Sequence, residues 1–123
     1  MNFLANTLYE SGVAAGRKIA ASGKNYTAVW VMSDIAAFGV MEGLRPSGRA
    51  VPDDVSVMGF DNLPECSCSY PKLTTIAQNI EEKALRVGEA LFQMLSGGEL
   101  AARSQTIDVQ LIGRQSVIRN PGN

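Results

Sequence analysis

Two polar pairs, Ser33-Asp34 and Asp61-Asn62, each directly follow a short apolar run, and they are the residues best placed to do chemistry. Hydroxyl, carboxylate and amide groups held together can donate and accept hydrogen bonds to a polyhydroxylated or amide-bearing small molecule. Asp34 has a second reading, because an Asp at the start of a helix is itself a cap. Asp61 opens no evident helix, so ligand contact weighs more heavily there.

Most other chemistries fail on residue type or spacing. The sequence has no His, which removes Ser-His and Cys-His nucleophile activation and the commonest transition-metal ligand. Cys66 and Cys68 stand too close together to be an obvious structural clamp and read as free thiols. No carboxylate cluster has metal-ligand spacing, so the residues imply neither a metal nor a cofactor. The glycines form neither G-x-G-x-x-G after a strand nor a Walker A loop. Asp53-Asp54 reads as a turn and Glu81-Glu82 as the acidic first turn of a helix, not as a catalytic carboxylate pair. The expected function is therefore not enzymatic.

The elements that must position the two polar pairs follow from periodicity. Thr27–Met32 (TAVWVM) and Val55–Phe60 (VSVMGF) are nearly continuous apolar runs, as in strands of a parallel sheet buried on both faces. Trp30 lies inside the first and is expected in the core. Between them Ser33 or Asp34 caps a helix to about Arg45, with Ile35, Phe38, Val40, Met41 and Leu44 on one broad side and Pro46 and Gly48 ending it. Strand, helix and strand from Thr27 to Phe60 make a right-handed βαβ unit. Ligands of open parallel sheets bind outside the carboxyl ends of the strands, so the two pairs should meet at one rim.

Flanking elements are also predicted. Thr7 and Glu10 fit a capping box for a helix running to about Gly23. Leu73–Gln78 is a short strand or a crossing segment. Asn79 followed by Glu82 caps a helix from Ile80 to about Ser96, striped by Ile80, Ala84, Val87, Leu91 and Leu95, with Glu82 and Arg86 in the favourable i,i+4 order. Thr106–Ile112 alternates like a half-buried strand, and Gln115–Ile118 suggests another.

The chain of 123 residues is 46% hydrophobic and 19% charged, enough for one compact domain. Its formal net charge of −1 gives no basic face with which to grip DNA. Neither a membrane-spanning apolar run nor a secretory signal is visible, so the cytoplasm is expected.

Several motifs occur together in order: VWVMSDIAAFGVMEGLRPSGRAVPDDVSVMGFDN, then PKLTTIAQ, then LIGRQS. This set, from about Tyr9 to Arg119, resembles the C-terminal half of the effector-sensing domain of LacI/GalR-type bacterial repressors. The resemblance implies an α/β fold, a Rossmann-like parallel sheet with flanking helices, forming part of a periplasmic-binding-protein-like type I domain. It assigns residues of about 7–78 and 104–119 to one lobe and the helix 80–96 to the other. Most of that other lobe, an effector-clamping Arg and the DNA-binding headpiece are expected outside this sequence, leaving the stripe of helix 80–96 to self-associate or fold back on its own sheet.

By the same resemblance, Asp61 falls on the position that hydrogen-bonds a small effector, a sugar or purine-like molecule. Ser33 falls where the family often has an Asn, and Ile80 near an apolar residue at the effector. Phe38, Met41 and Glu42 with Cys66, Cys68 and Tyr70 match the family's homodimer contacts, although Phe38 and Met41 also suit a core role. Operator DNA would be reached only through the headpiece. A periplasmic-type sugar-binding component of a transport system is the alternative.

Overall fold

The computed structural model describes residues 8–99 and 104–119. The described residues through Ala77, together with those from Leu111 onward, form one compact unit, and Gln78–Gln110 form a second. Thr7, the expected cap of the first helix, lies outside the described residues.

The first unit opens with α1 (Leu8–Ala21), which carries Glu10 in its first turn and is followed by Gly23 at φ 66°. Next come β1 (Ala28–Trp30), α2 (Asp34–Leu44), β2 (Ser56–Phe60) and β3 (Thr74–Gln78). With β4 (Val109–Ile112) the sheet order is β1-β2-β3-β4. β1 pairs with β2 in parallel, Val29 opposite Val57, and β2 pairs with β3 in parallel, Gly59 opposite Thr75. The α/β class and the strand-helix-strand unit predicted from Thr27 to Phe60 are thus observed. Leu73–Gln78 resolves as a strand rather than a crossing segment.

The core lies between α2 and the sheet. Ala37, Val40 and Leu44 meet Val55, Val57, Cys66 and Leu73, and Val29, Val31, Phe38 and Met41 pack against them. The helix side predicted for α2 is therefore rotated: Ile35 is exposed, and Ala37 takes the inner position. Gly39 and Gly43 are buried too, because α2 has a second covered side against α1.

That contact explains four glycines at once. Gly12 and Gly16 of α1 face Gly39 and Gly43 of α2, each pair four residues apart and so on one helix face. A Cβ on Gly12 or Gly16 would collide with the carbonyl oxygen of Ala36 or Val40, and one on Gly39 or Gly43 with that of Tyr9 or Val13. The two backbones touch, as in close small-residue helix pairs.

Two expectations need correction. Trp30 is 58% exposed, not core. Side chains alternate along a strand, so with Val29 turned to the core Trp30 points to the other face, which nothing among the described residues covers at this edge of the sheet. The segment Gln115–Ile118 is not a strand, yet it is bonded tightly into the sheet. Ser116, fully buried, accepts from the Val57 N–H through its carbonyl at 2.8 Å and donates its hydroxyl to the Val57 carbonyl at 2.6 Å. Its hydroxyl also accepts from the Thr74 N–H at 2.8 Å, so one serine bridges β2 and β3.

The second unit contains α3 (Ile80–Leu95), as its sequence predicts. Asn79 accepts from the Glu82 N–H at 3.1 Å and donates to the Glu82 carboxylate at 2.9 Å, a reciprocal cap. Arg86 pairs with Glu82 at 2.5 Å. No residue of α3 is buried, and Leu85, Val87, Leu91, Phe92 and Leu95 stand exposed. β4 is shorter than predicted and mostly exposed, without the expected half-buried alternation.

Candidate functional site

The polar ends of β1 and β2 are brought side by side by parallel pairing, and a single buried carboxylate joins them. Ser33, in extended backbone, is the N-cap of α2 and accepts from the Ala36 N–H at 3.2 Å. Asp34 is thus the first helical residue, not the cap. Its side chain is 0% exposed and reaches across to the neighbouring loops. One oxygen accepts from the Leu63 N–H at 2.8 Å, the other from the Thr75 hydroxyl at 2.6 Å. Gly59 makes this possible, since a Cβ there would collide with the Asp34 Oδ1. Asp34 therefore ties the chain leaving β1 to the loop after β2 and to the second residue of β3, from beneath the rim.

Asp61 and Asn62 leave β2 with φ of 119° and 57°. Such conformations are uncommon for residues with a side chain and collect where surroundings over-determine them. Here the surroundings do so: the Asp61 N–H donates to the Ile76 carbonyl at 2.9 Å and the Asn62 N–H to the Thr75 hydroxyl at 3.3 Å. The Asn62 side chain accepts from Arg114 at 2.8 Å. Asp61 and Asn62 are half-buried and Ser33 is buried. Ile80, in the second unit, is 55% exposed at the start of α3.

Reasoning from sequence missed Thr75, Arg114 and Ser116. Each acts on a residue between 13 and 59 positions away, so no local pattern exposes it; the signals present were the TT of PKLTTIAQ and the R-x-S of LIGRQS.

The residues matched to homodimer contacts separate by exposure. Tyr70 is 91% exposed, Cys68 is exposed, and Phe38, Met41 and Glu42 are half-buried. Met41 and Tyr70 line a shallow groove of about 430 Å³ with Arg45, Arg49, Val51 and Pro71. Cys66 must be removed from this set: it is 0% exposed and belongs to the core.

Burial first, and then the adjoining Asp34 carboxylate, push the Cys66 thiol from 9.0 up to about 12. The folded state thus disfavours the thiolate. Its contribution to stability is complete below pH 9 and is lost as pH rises towards 12, since the unfolded thiol ionises first. We expect a thiol reagent at neutral pH to label Cys68 and spare Cys66 until denaturant is added. Stability measured between pH 9 and 12 should fall, and Cys66→Ala should flatten that fall. Rapid native labelling of both thiols would contradict the burial.

Comparison with known proteins matches this architecture. Residues 4–117 fit the model of the periplasmic binding protein-like domain. The chain belongs to this domain family, in the form found in LacI-type transcription regulators. It is 40% identical over 116 residues to the HTH-type transcriptional repressor PurR of Erwinia tasmaniensis, covering 91% of this chain and 33% of that protein. A LacI family regulator from Lactobacillus casei, solved with bound sucrose, is 33% identical with a TM-score of 0.71, over 89% of this chain and 40% of that one. The lac repressor dimer bound to operator and the anti-inducer ONPF is 30% identical with a TM-score of 0.80, over 89% and 38%. The chain spans about a third of the length of the curated relatives it matches. No helix among the described residues is long and apolar enough to cross a membrane.

Proposed function

We propose that this chain is the effector-contacting and dimerising segment of a LacI-type transcription repressor, and that Asp61 hydrogen-bonds a small polyhydroxylated effector, a sugar. The observation that carries the reading is the Asp61-Asn62 corner. It holds a carboxylate at the carboxyl end of a parallel strand, in costly backbone, beside the polar start of α2. Ser33 and Asn62 flank that carboxylate, and Asp34 organises the rim from below. The sucrose bound by the L. casei regulator is the precedent for proposing a sugar. With a formal net charge of −1, this segment is suited to sensing, and operator contact falls to another part of the whole protein.

The test is a thermal-shift series of mono- and disaccharides and purine bases on the full-length protein and its Asp61→Gly variant. Glycine accepts the φ of 119°. We expect at least one sugar to raise the wild-type midpoint, and Asp61→Gly to keep its ligand-free midpoint within a few degrees while losing that response. An unchanged response would remove Asp61 from the site.

Pairing between copies is proposed through Phe38, Met41, Glu42, Cys68 and Tyr70, one patch that each copy presents to the other in a two-fold contact. Labelling of Cys68 should slow as protein concentration rises. A rate independent of concentration would take Cys68 out of the interface.

A further inference from the structure

We infer that Arg114 is a positioning residue that holds the Asp61-Asn62 corner in its left-handed backbone and thereby sets where the Asp61 carboxylate stands. The functional consequence rests on the reading of Asp61 as the effector contact; the positioning itself does not.

Arg114 makes three contacts that divide into two anchors and one reach. Its backbone N–H donates to the Thr74 hydroxyl at 2.9 Å, and its Nη1 donates to the Leu73 carbonyl at 2.8 Å. Both anchors lie at the entry to β3, and they fix the guanidinium plane. The remaining Nη2 then donates to the Asn62 Oδ1 at 2.8 Å, across 52 positions of sequence. A planar fork with several fixed donors can serve two acceptors in set directions, whereas a lysine ammonium is a single rotating point charge.

The backbone ties at the corner show why a side-chain tie is needed. The Asn62 N–H reaches the Thr75 hydroxyl only at 3.3 Å, at the long end of hydrogen-bond distances. The neighbouring N–H groups of Asp61 and Leu63 are satisfied at 2.9 and 2.8 Å. The weakest backbone tie therefore falls on the residue whose side chain Arg114 holds. Asn62 is also a residue type that tolerates positive φ, so its amide can serve as the handle without a change of backbone.

Amide hydrogen exchange in the full chain tests this, comparing wild type with Arg114→Lys and Asn62→Gly. Lysine keeps the charge but loses the fork; glycine keeps the backbone but loses the acceptor. We expect exchange at residues 62 and 63 to quicken about tenfold in either variant, as a charge-assisted hydrogen bond is lost, while Val40 and Leu44 of α2 keep their rates. Arg114→Lys already cuts the bond to Asn62 along with the one to Leu73, so adding Asn62→Gly should make exchange no faster than in Arg114→Lys alone. Unchanged exchange at 62 and 63, an equal rise throughout α2, or additive effects would overturn the assignment. If the corner loosens in Arg114→Lys while Asp61→Gly keeps its sugar response, the positioning stands and the effector reading falls.

Discussion

Substituting Gly43 by Val is expected to lower the stability of the chain by about 3 kcal/mol, at the upper end of the usual cost of overpacking. The added Cβ would collide with the Val13 carbonyl, and its other neighbours are the Arg17 nitrogen and the Gly16 Cα, all backbone. Backbone atoms of a helix cannot rotate away as a side chain can, so α1 and α2 must separate. Separation also uncovers Ala15, Ile19 and Ala20, which pack against the core. Urea unfolding gives the measurement, with Gly88→Ala as the control. Gly88 is also helical, but a Cβ there meets nothing within 4 Å. Its replacement should be neutral or stabilise by about 0.5–1 kcal/mol through helix propensity alone. A Gly43→Val protein with a wild-type midpoint would mean that the helices do not touch.

The second large effect is expected at Asp34. Asp34→Ala leaves the Leu63 N–H and the Thr75 hydroxyl without the acceptor they share. Each orphaned buried donor costs about 1–3 kcal/mol, so a loss of about 3 kcal/mol is expected. Asp34→Asn should be milder, because its amide oxygen can still accept from Leu63 while its NH₂ turns to the Thr75 oxygen. A double-mutant cycle with Thr75→Val isolates the 2.6 Å bond, with a coupling of about 1.5–3 kcal/mol for a hydrogen bond to a charged group. An Asp34→Ala protein within about 0.5 kcal/mol of wild type would show that the carboxylate is not the tie described here.

These two predictions mark the boundary of what the sequence made legible. The βαβ unit from β1 to β2 was readable because apolar runs, a cap and a Pro-Gly stop lie within a few residues of one another. The Asn79-Glu82 cap and the Glu82–Arg86 pair were readable for the same reason. The facing of Gly12 and Gly16 on Gly39 and Gly43 was not, since it depends on how two separate helices cross. Trp30 was misplaced because a uniform apolar run shows that a strand is covered but not which face is. At the rim, the pairing of the two polar ends followed from topology alone. The division of labour between a buried Asp34 and a corner Asp61 did not, because it turns on partners up to 52 residues distant.

The return of Arg114–Ile118 to β2 and β3 has a consequence for how the polypeptide tolerates change. The first unit is built from two stretches of chain, and the second unit, Gln78–Gln110, is an insertion that loops out between them. The entropy of closing such a loop grows only logarithmically, so doubling its length adds only ~0.6 kcal/mol. The bonds of Ser116 and Arg114 therefore act as a clasp whose strength hardly depends on what the loop contains. Sequence between β3 and β4 can be lengthened or exchanged at little cost to the sheet, and the clasp residues cannot.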